Sequence, residues 1–160
     1  MTTDDTFKDR GIAKVEQEGE VLEIDYFTAG EAGLKAGLAG KIAAGAEVVT
    51  ICDAAAIPDC IILHRHGFNA DKVTIRHLDT EYDDADKNVP VARRCKNKGK
   101  TVWMWLSTTV ACDIENNYVA AANGILKKWV NETENFIFCK GAEYKAADNT
   151  YLKLRRMVIT

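Results

Sequence analysis

The 160-residue chain has a formal net charge of −3, with 47% hydrophobic residues. No apolar run approaches the roughly eighteen residues that indicate a membrane-spanning helix, so a membrane protein is not expected. A nucleic-acid-binding protein usually shows a basic surplus on one face, and this charge balance argues against one. The length suits one domain, with or without an arm.

The first ten residues are polar and acidic, with one aromatic side chain, Phe7, and with threonines that include Thr2 and Thr3. The segment lacks the apolar core of a secretory signal. Such a composition cannot form a packed core, so we expect it to behave as an extended arm that orders on a partner. The sequence therefore predicts an N-terminal arm over residues 1–10 and a single β domain over residues 11–160.

Four strands are predicted in the first half of the chain from β-branched or alternating apolar residues. Their approximate ranges are 20–27, 47–52, 60–66 and 71–78. The residues Thr28 to Gly45 are rich in alanine and glycine, and we predict a loop there that crosses close to other backbone. Neither a phosphate-binding loop nor a dinucleotide-binding turn is predicted, because no G-K-[ST] or G-x-G-x-x-G sequence is present.

Further short strands are predicted in the second half, at near-regular spacing. They cover 88–92, 101–106, 118–121, a run from 125, 135–140 and 151–159. The Asn123-Gly124 pair, flanked by apolar residues, is a strong signal for a hairpin with a type I′ turn. With about nine or ten short strands and turn residues between them, the chain is predicted to be mainly β, a small antiparallel β-barrel or sandwich.

Three histidines are the candidate metal ligands. His64 and His66 would lie on one face of a strand, and His77 could face them from the next strand. Three imidazoles suit a zinc site with an open position, which makes a cupin-like metal-binding protein or enzyme the alternative function. No acidic or thiol ligand has a diagnostic spacing, however, and Arg65 and Arg76 add positive charge nearby. We therefore expect no metal and no other cofactor.

No catalytic residue is predicted elsewhere. Ser107 is the single serine and no nucleophile elbow surrounds it. The five cysteines contain no C-x-x-C pair, and Cys52, Cys60 and Cys139 lie in or beside apolar runs, which favours thiols packed in a core. The chain is thus not expected to be an enzyme.

Two charged stretches are interpreted as solvated surface. Asp83, Asp84 and Asp86 form an acidic turn without the EF-hand pattern for calcium. The basic run from Arg93 to Lys100 could contact phosphate or an acidic patch on a partner.

The run Val102-Trp-Met-Trp-Leu106 is apolar at every position, so both faces of this strand should be covered. Trp103 and Trp105 would project to one face. That face is covered either by a neighbouring chain, since aromatic residues are enriched in interface cores, or by the domain itself. Together with Thr2, Thr3 and Phe7, the two tryptophans are the candidate capsid or subunit contacts.

The order of these signals resembles that of the capsid decoration proteins, also called cement or head-stabilising proteins, of tailed viruses. The resemblance runs from Asp79-Thr-Glu-Tyr82 and Val89-Pro-Val91 through the tryptophan strand to Tyr118-Val-Ala120. It continues with the Asn123-Gly124 turn, Leu126-Lys-Lys128 and Tyr151-Leu-Lys-Leu-Arg155.

The resemblance implies a small β-barrel that assembles as a trimer on the capsid exterior after synthesis in the host cytoplasm. Its partners would be the major capsid protein and other copies of itself, with the arm reaching onto one of them. The function expected is stabilisation of the assembled capsid by bridging capsomers. No catalytic residues are implied.

Overall fold

The computed structural model describes residues 22–43, 45–54, 56–63, 82–130 and 136–160. Within these residues the chain forms ten strands. The first five are β1 (Ile24–Ala29), β2 (Ala39–Ala43), β3 (Val48–Ile51), β4 (Cys60–Ile62) and β5 (Val89–Arg93). The second five are β6 (Thr101–Leu106), β7 (Asn117–Ala120), β8 (Leu126–Lys128), β9 (Cys139–Gly141) and β10 (Lys153–Ile159).

The strands close into two five-stranded barrels, so the prediction of a mainly β barrel protein is confirmed. In the first barrel the neighbours follow the order β1-β3-β2-β4-β5, and β5 pairs back with β1. In the second they follow β6-β8-β7-β9-β10, and β10 pairs back with β6. No helix in the described part of the chain is long and apolar enough to cross a membrane.

The two barrels have the same topology. In each, the first and third strands are parallel and the other four pairings are antiparallel. An isolated bridge outside the strands also recurs, joining Leu34 to Tyr82 in the first barrel and Cys112 to Lys145 in the second. Each bridge links the connection after the first strand of its barrel to the connection after the fourth. The chain therefore contains two barrels of the same topology in tandem.

One cluster of buried apolar side chains runs through both barrels. Residues 89–92 of β5 are all buried, and so are Val102, Met104, Trp105 and Leu106 of β6, so these two strands are covered on both faces. A barrel of about sixty residues buries too little surface to be stable by a wide margin. The shared core gives each barrel additional apolar contact with the other.

Strand β2 corrects the prediction of a loop between Thr28 and Gly45. Alanine and glycine are poor strand formers, so the sequence of this segment did not predict a strand. The strand needs small residues because the barrel is narrow there: a methyl group at Gly40 would lie 2.9 Å from the Cys60 sulfur and 3.1 Å from Val49 Cγ2. The predicted close approach to other backbone is confirmed, since that methyl group would also lie 3.3 Å from the Thr50 carbonyl oxygen.

The predicted hairpin at Asn123-Gly124 is confirmed. Strands β7 and β8 are antiparallel partners, and Asn123 and Gly124 have φ angles of 62° and 75°. Positive φ at both central residues is what a type I′ turn requires. The other predicted strands match observed ones, with shifted ends, except 71–78, which lies outside the described residues, as does the predicted arm over residues 1–10.

The barrels meet at a seam with two close contacts. On one side, the Trp105 backbone N–H of β6 donates to the Gly37 carbonyl at 3.0 Å, and the indole Nε1–H donates to the Ala36 carbonyl at 2.8 Å. Gly37 has a φ of 94°, and a methyl group there would lie 2.8 Å from Leu154 Cδ2 and 3.0 Å from the indole ring. Only glycine allows the loop before β2 to lie this close to the second barrel.

On the other side of the seam, the β7–β8 turn packs against the first barrel. The Gly124 N–H donates to the Cys52 carbonyl at 3.0 Å. A methyl group at Gly124 would lie 2.8 Å from the Ala39 carbonyl oxygen and 3.2 Å from Ile51 Cγ2. Position 124 therefore requires glycine for two reasons: φ is positive there, and there is no space for a side chain.

We expect Gly124→Ala to lower the free energy of unfolding by about 3 kcal/mol, because it adds a backbone clash to the cost of a positive φ. The control is Gly99→Ala, where φ is 83° but no atom lies within 4 Å of the added methyl group. That variant should lose only about 1 kcal/mol in urea-unfolding measurements. Equal losses in the two variants would contradict a tight seam at Gly124.

Candidate interface surfaces

Of the five residues predicted at an interface, Trp103 and Trp105 lie in the described part of the chain, while Thr2, Thr3 and Phe7 do not. Trp105 is 4% exposed and is covered by the first barrel of its own chain. Trp103 is half-buried against the core and keeps part of its surface exposed. The structure thus provides an internal cover for Trp105, and a contact between chains at Trp103 stays a prediction.

We expect Trp105→Phe to lower the free energy of unfolding by about 1 kcal/mol more than Trp103→Phe, because it leaves the partly buried Ala36 carbonyl without its indole donor. Both substitutions remove similar volume, so Trp103→Phe is the matched control. Chemical unfolding followed by circular dichroism measures both variants. If the two variants lost equal stability, the indole hydrogen bond would have no role at the seam.

Four large apolar side chains among the described residues are exposed on the second barrel: Ile114, Val130, Phe136 and Tyr144, at 60%, 69%, 66% and 70%. Ile114 and Tyr144 lie close to the bridge in which Cys112 and Lys145 exchange backbone hydrogen bonds of 2.8 and 2.9 Å. Strand patterns in the sequence did not identify Ile114 or Tyr144, because both residues lie in connections between strands.

Val130 belongs to the same end of the barrel. The Trp129 N–H donates to the Asn117 carbonyl at 2.8 Å, which places Val130 just beyond the first residue of β7. The opposite end of β7 leads to the turn at Gly124, which packs on the first barrel. Ile114, Val130 and Tyr144, here called the apolar end, therefore lie at the end of the second barrel that is opposite the Gly124 turn.

Tyr118 fixes the loop that carries Ile114. Its hydroxyl donates to the Ala111 carbonyl at 2.7 Å and accepts the Asp113 N–H at 3.0 Å. Burial raises the pKa of this phenol, so it stays protonated and keeps its donor across the neutral range. Ile114 is consequently presented from a loop with a defined backbone, although its side chain is solvated. Large exposed apolar side chains at one end of a barrel are typical of protein–protein contact sites.

A second surface is a groove of about 380 Å³ on the first barrel. Apolar side chains line part of it and cationic side chains the rest: Ile42, Ile57, Pro58, Arg93, Arg94 and Lys98. One anion, Asp59, also lines the groove, and its carboxylate accepts the Ile42 N–H at 2.9 Å and lies 3.5 Å from Lys41 Nζ. The groove therefore has a net positive charge.

The cations of the groove differ in their contacts. Arg94 Nε donates to the Thr160 carbonyl at 2.9 Å. The side chains of Arg93 and Lys98 have no hydrogen-bond or ion-pair partner among the described residues. Two positive groups are thus available to a ligand. The basic run was predicted as solvated surface, and no sequence pattern indicated that part of it would line a groove.

Cys95 is exposed in this groove, while the other four cysteines are buried. Packing of Cys52, Cys60 and Cys139 in the core is thus confirmed. Burial raises the pKa of the Cys52 and Cys112 thiols to about 11, and it raises the pKa of Cys60 and Cys139 as well. At neutral pH these four thiols are protonated and shielded, which leaves Cys95 as the accessible one.

We expect one fast-reacting thiol per native chain in a titration with a disulfide reagent at pH 8. The remaining thiols should react only after unfolding, because the reactive thiolate is disfavoured in the core. Cys95→Ser should abolish the fast phase, and Cys112→Ser should leave it intact. A fast phase that survives Cys95→Ser would mean that a buried thiol is accessible in the native protein.

The candidate metal ligands His64, His66 and His77 lie outside the described residues. Among the described residues no group of three or more histidine, cysteine, aspartate or glutamate side chains is arranged to hold a metal ion. At the acidic turn, Asp83 and Asp84 are exposed, and the Asp83 N–H donates to Asp86 Oδ2 at 3.2 Å.

No protein-family model matches the chain, and no curated protein matches it by sequence. Among solved structures it is similar to the N base of head fiber gp8.5 of bacteriophage phi29, with a TM-score of 0.54 and 11% sequence identity. The likeness covers 88% of this chain and 95% of that chain. The two proteins share a fold over nearly their whole lengths, so both barrels are included in the likeness.

Proposed function

We propose that this chain is a structural protein of a tailed-virus particle, that it binds the outside of the assembled capsid and that it reinforces the shell by bridging capsomers. The observation that carries the proposal is the fold shared with the phi29 head fiber N base over 88% of the chain. The order of the sequence motifs, which resembles that in capsid decoration proteins, also supports a structural protein of a virus particle. The partners are the major capsid protein and further copies of this chain, as a trimer.

The apolar end of the second barrel is the contact surface that we assign to the capsid. Ile114 and Tyr144 are both mostly exposed, and burying exposed aromatic and aliphatic groups provides much of the free energy of protein association. Residues 1–10 supply the second contact by adding backbone hydrogen bonds to a neighbour. Many copies on one shell then act together, so weak individual contacts are enough.

The role is structural and not catalytic in this proposal. The described residues present two surfaces for binding, the apolar end and the basic groove. The raised pKa values among them belong to buried thiols and to Tyr118, which maintain the fold.

We expect the protein to co-sediment with mature capsids of the phage that carries its gene. Ile114→Lys combined with Tyr144→Lys should weaken binding by roughly tenfold or more, because two exposed anchors become charged. Tyr26→Lys is the matched control, since Tyr26 is 55% exposed on the first barrel and should not affect binding. Deletion of residues 1–10 should also weaken binding.

Failure of the unaltered protein to bind mature or immature capsids would contradict the proposal. Equal binding by the double variant and the Tyr26→Lys control would exclude the apolar end as the contact while leaving the capsid as the partner.

Light scattering with metal analysis tests the absence of a metal site. We expect a metal-free oligomer from a purification without chelators, because the histidines are assigned no metal. A monomer with stoichiometric zinc or iron that is lost in a His64→Ala, His66→Ala variant would favour a cupin-like protein.

A further inference from the structure

The basic groove has walls that are fixed by hydrogen bonds within the chain. The Arg94 N–H donates to the Asp59 carbonyl at 2.8 Å, which joins two of the segments that line the groove. Asn97 is fully buried, and its Nδ2 donates to the Arg93 carbonyl at 2.8 Å, which holds the turn that carries Cys95. A preformed concave surface costs a ligand little in ordering, and the volume of about 380 Å³ lies in the range of ligand-binding sites.

The groove contains cationic groups that its own residues do not neutralise. The Asp59 carboxylate already has partners, since it accepts the Ile42 N–H at 2.9 Å and lies 3.5 Å from Lys41 Nζ. The side chains of Arg93 and Lys98 have no such partner among the residues that the structure describes. They form a local positive surface on a chain whose net charge is −3. A ligand with carboxylate groups would complement this surface.

The rest of the lining indicates the class of that ligand. Ile42, Ile57 and Pro58 give part of the groove an apolar surface, which a small inorganic anion could not use. Asp59 would repel the dense charge of a polyphosphate or of nucleic acid. A peptide that alternates acidic and apolar residues meets both conditions, because alternate side chains of an extended chain project to opposite faces. Its carboxylates can pair with the cations of residues 93–98 while its apolar side chains contact residues 42 and 57–58.

We propose that the basic groove binds an extended acidic peptide segment of a partner protein, with its carboxylates on Arg93 and Lys98. Aliphatic side chains of the segment contact Ile42 and Ile57. The planar guanidinium of Arg93 holds one carboxylate through two parallel hydrogen bonds, and Lys98 binds the second as a point charge. In the purified protein the groove is open and Cys95 reacts rapidly, and binding of the segment protects this thiol. The groove and the capsid contact lie on different barrels, so this binding does not depend on the proposed function.

The rate of Cys95 alkylation by iodoacetamide, a neutral reagent, measures occupancy of the groove. The probe is the peptide acetyl-Glu-Leu-Glu-Leu-amide, and its matched control is acetyl-Gln-Leu-Gln-Leu-amide at the same ionic strength. The acidic peptide at about 10 mM should slow alkylation by about tenfold, because two ion pairs and the contacts of two leucines give a dissociation constant of about 1 mM. The glutamine peptide should slow it by less than about twofold, because it forms no ion pair.

Substitution of the two cations locates the binding site. Arg93→Gln with Lys98→Gln should abolish protection by the acidic peptide, measured against the rate of the same variant without peptide. Lys128→Gln with Lys140→Gln removes the same charge from exposed positions on the second barrel and should leave the protection intact. Arg94 is retained in both variants because its side chain already has a backbone partner.

Four results would overturn the inference. The first is an unaltered alkylation rate of the native protein with the acidic peptide, and the second is equal protection by the glutamine peptide. The third is protection that persists in the variant without the two groove cations. The fourth is equal or stronger protection by sodium tripolyphosphate at the same concentration, which would assign the groove to a dense polyanion.

Discussion

The structure depends on the close approach of two small barrels at one seam. Each barrel alone has a narrow interior that a few side chains fill, and the apolar core becomes continuous only where the barrels meet. At that place Trp105 of the second barrel packs over Gly37 of the first and forms two hydrogen bonds to its loop. A side chain at Gly37 would push the barrels apart, because a methyl group there would lie 2.8 Å from Leu154 Cδ2. The relative position of the two barrels therefore depends on glycine at this position.

Two barrels of the same topology allow one small chain to present two different surfaces. The barrels share strand order and even the bridges outside the strands, yet the groove lies on the first barrel and the apolar end on the second. The seam occupies the faces between them. The first barrel therefore presents the groove and the second presents the apolar end, with the seam fixing the distance between the two surfaces.

Sequence patterns predicted most strands and the mainly β class because apolar alternation and turn residues are local signals. They did not predict β2, since the need for glycine at position 40 comes from crowding against Cys60 and Val49, which are distant in sequence. Nor did they predict the duplicated topology, which consists of pairings between distant segments. The apolar run around Trp105 predicted that this side chain is covered. It did not indicate that Ala36 accepts its indole hydrogen bond, because the two residues are 69 positions apart. The groove escaped sequence analysis as well, because it brings residues 57–59 against residues 93–98.

A cryo-electron-microscopy reconstruction of mature capsids incubated with the purified protein tests the central claim most directly, which is that this pair of barrels works by covering a capsid. The account predicts two-lobed density on the outer surface between neighbouring capsomers, with the second barrel in contact with the shell. Capsids with an unaltered outer surface at saturating protein concentration would contradict it.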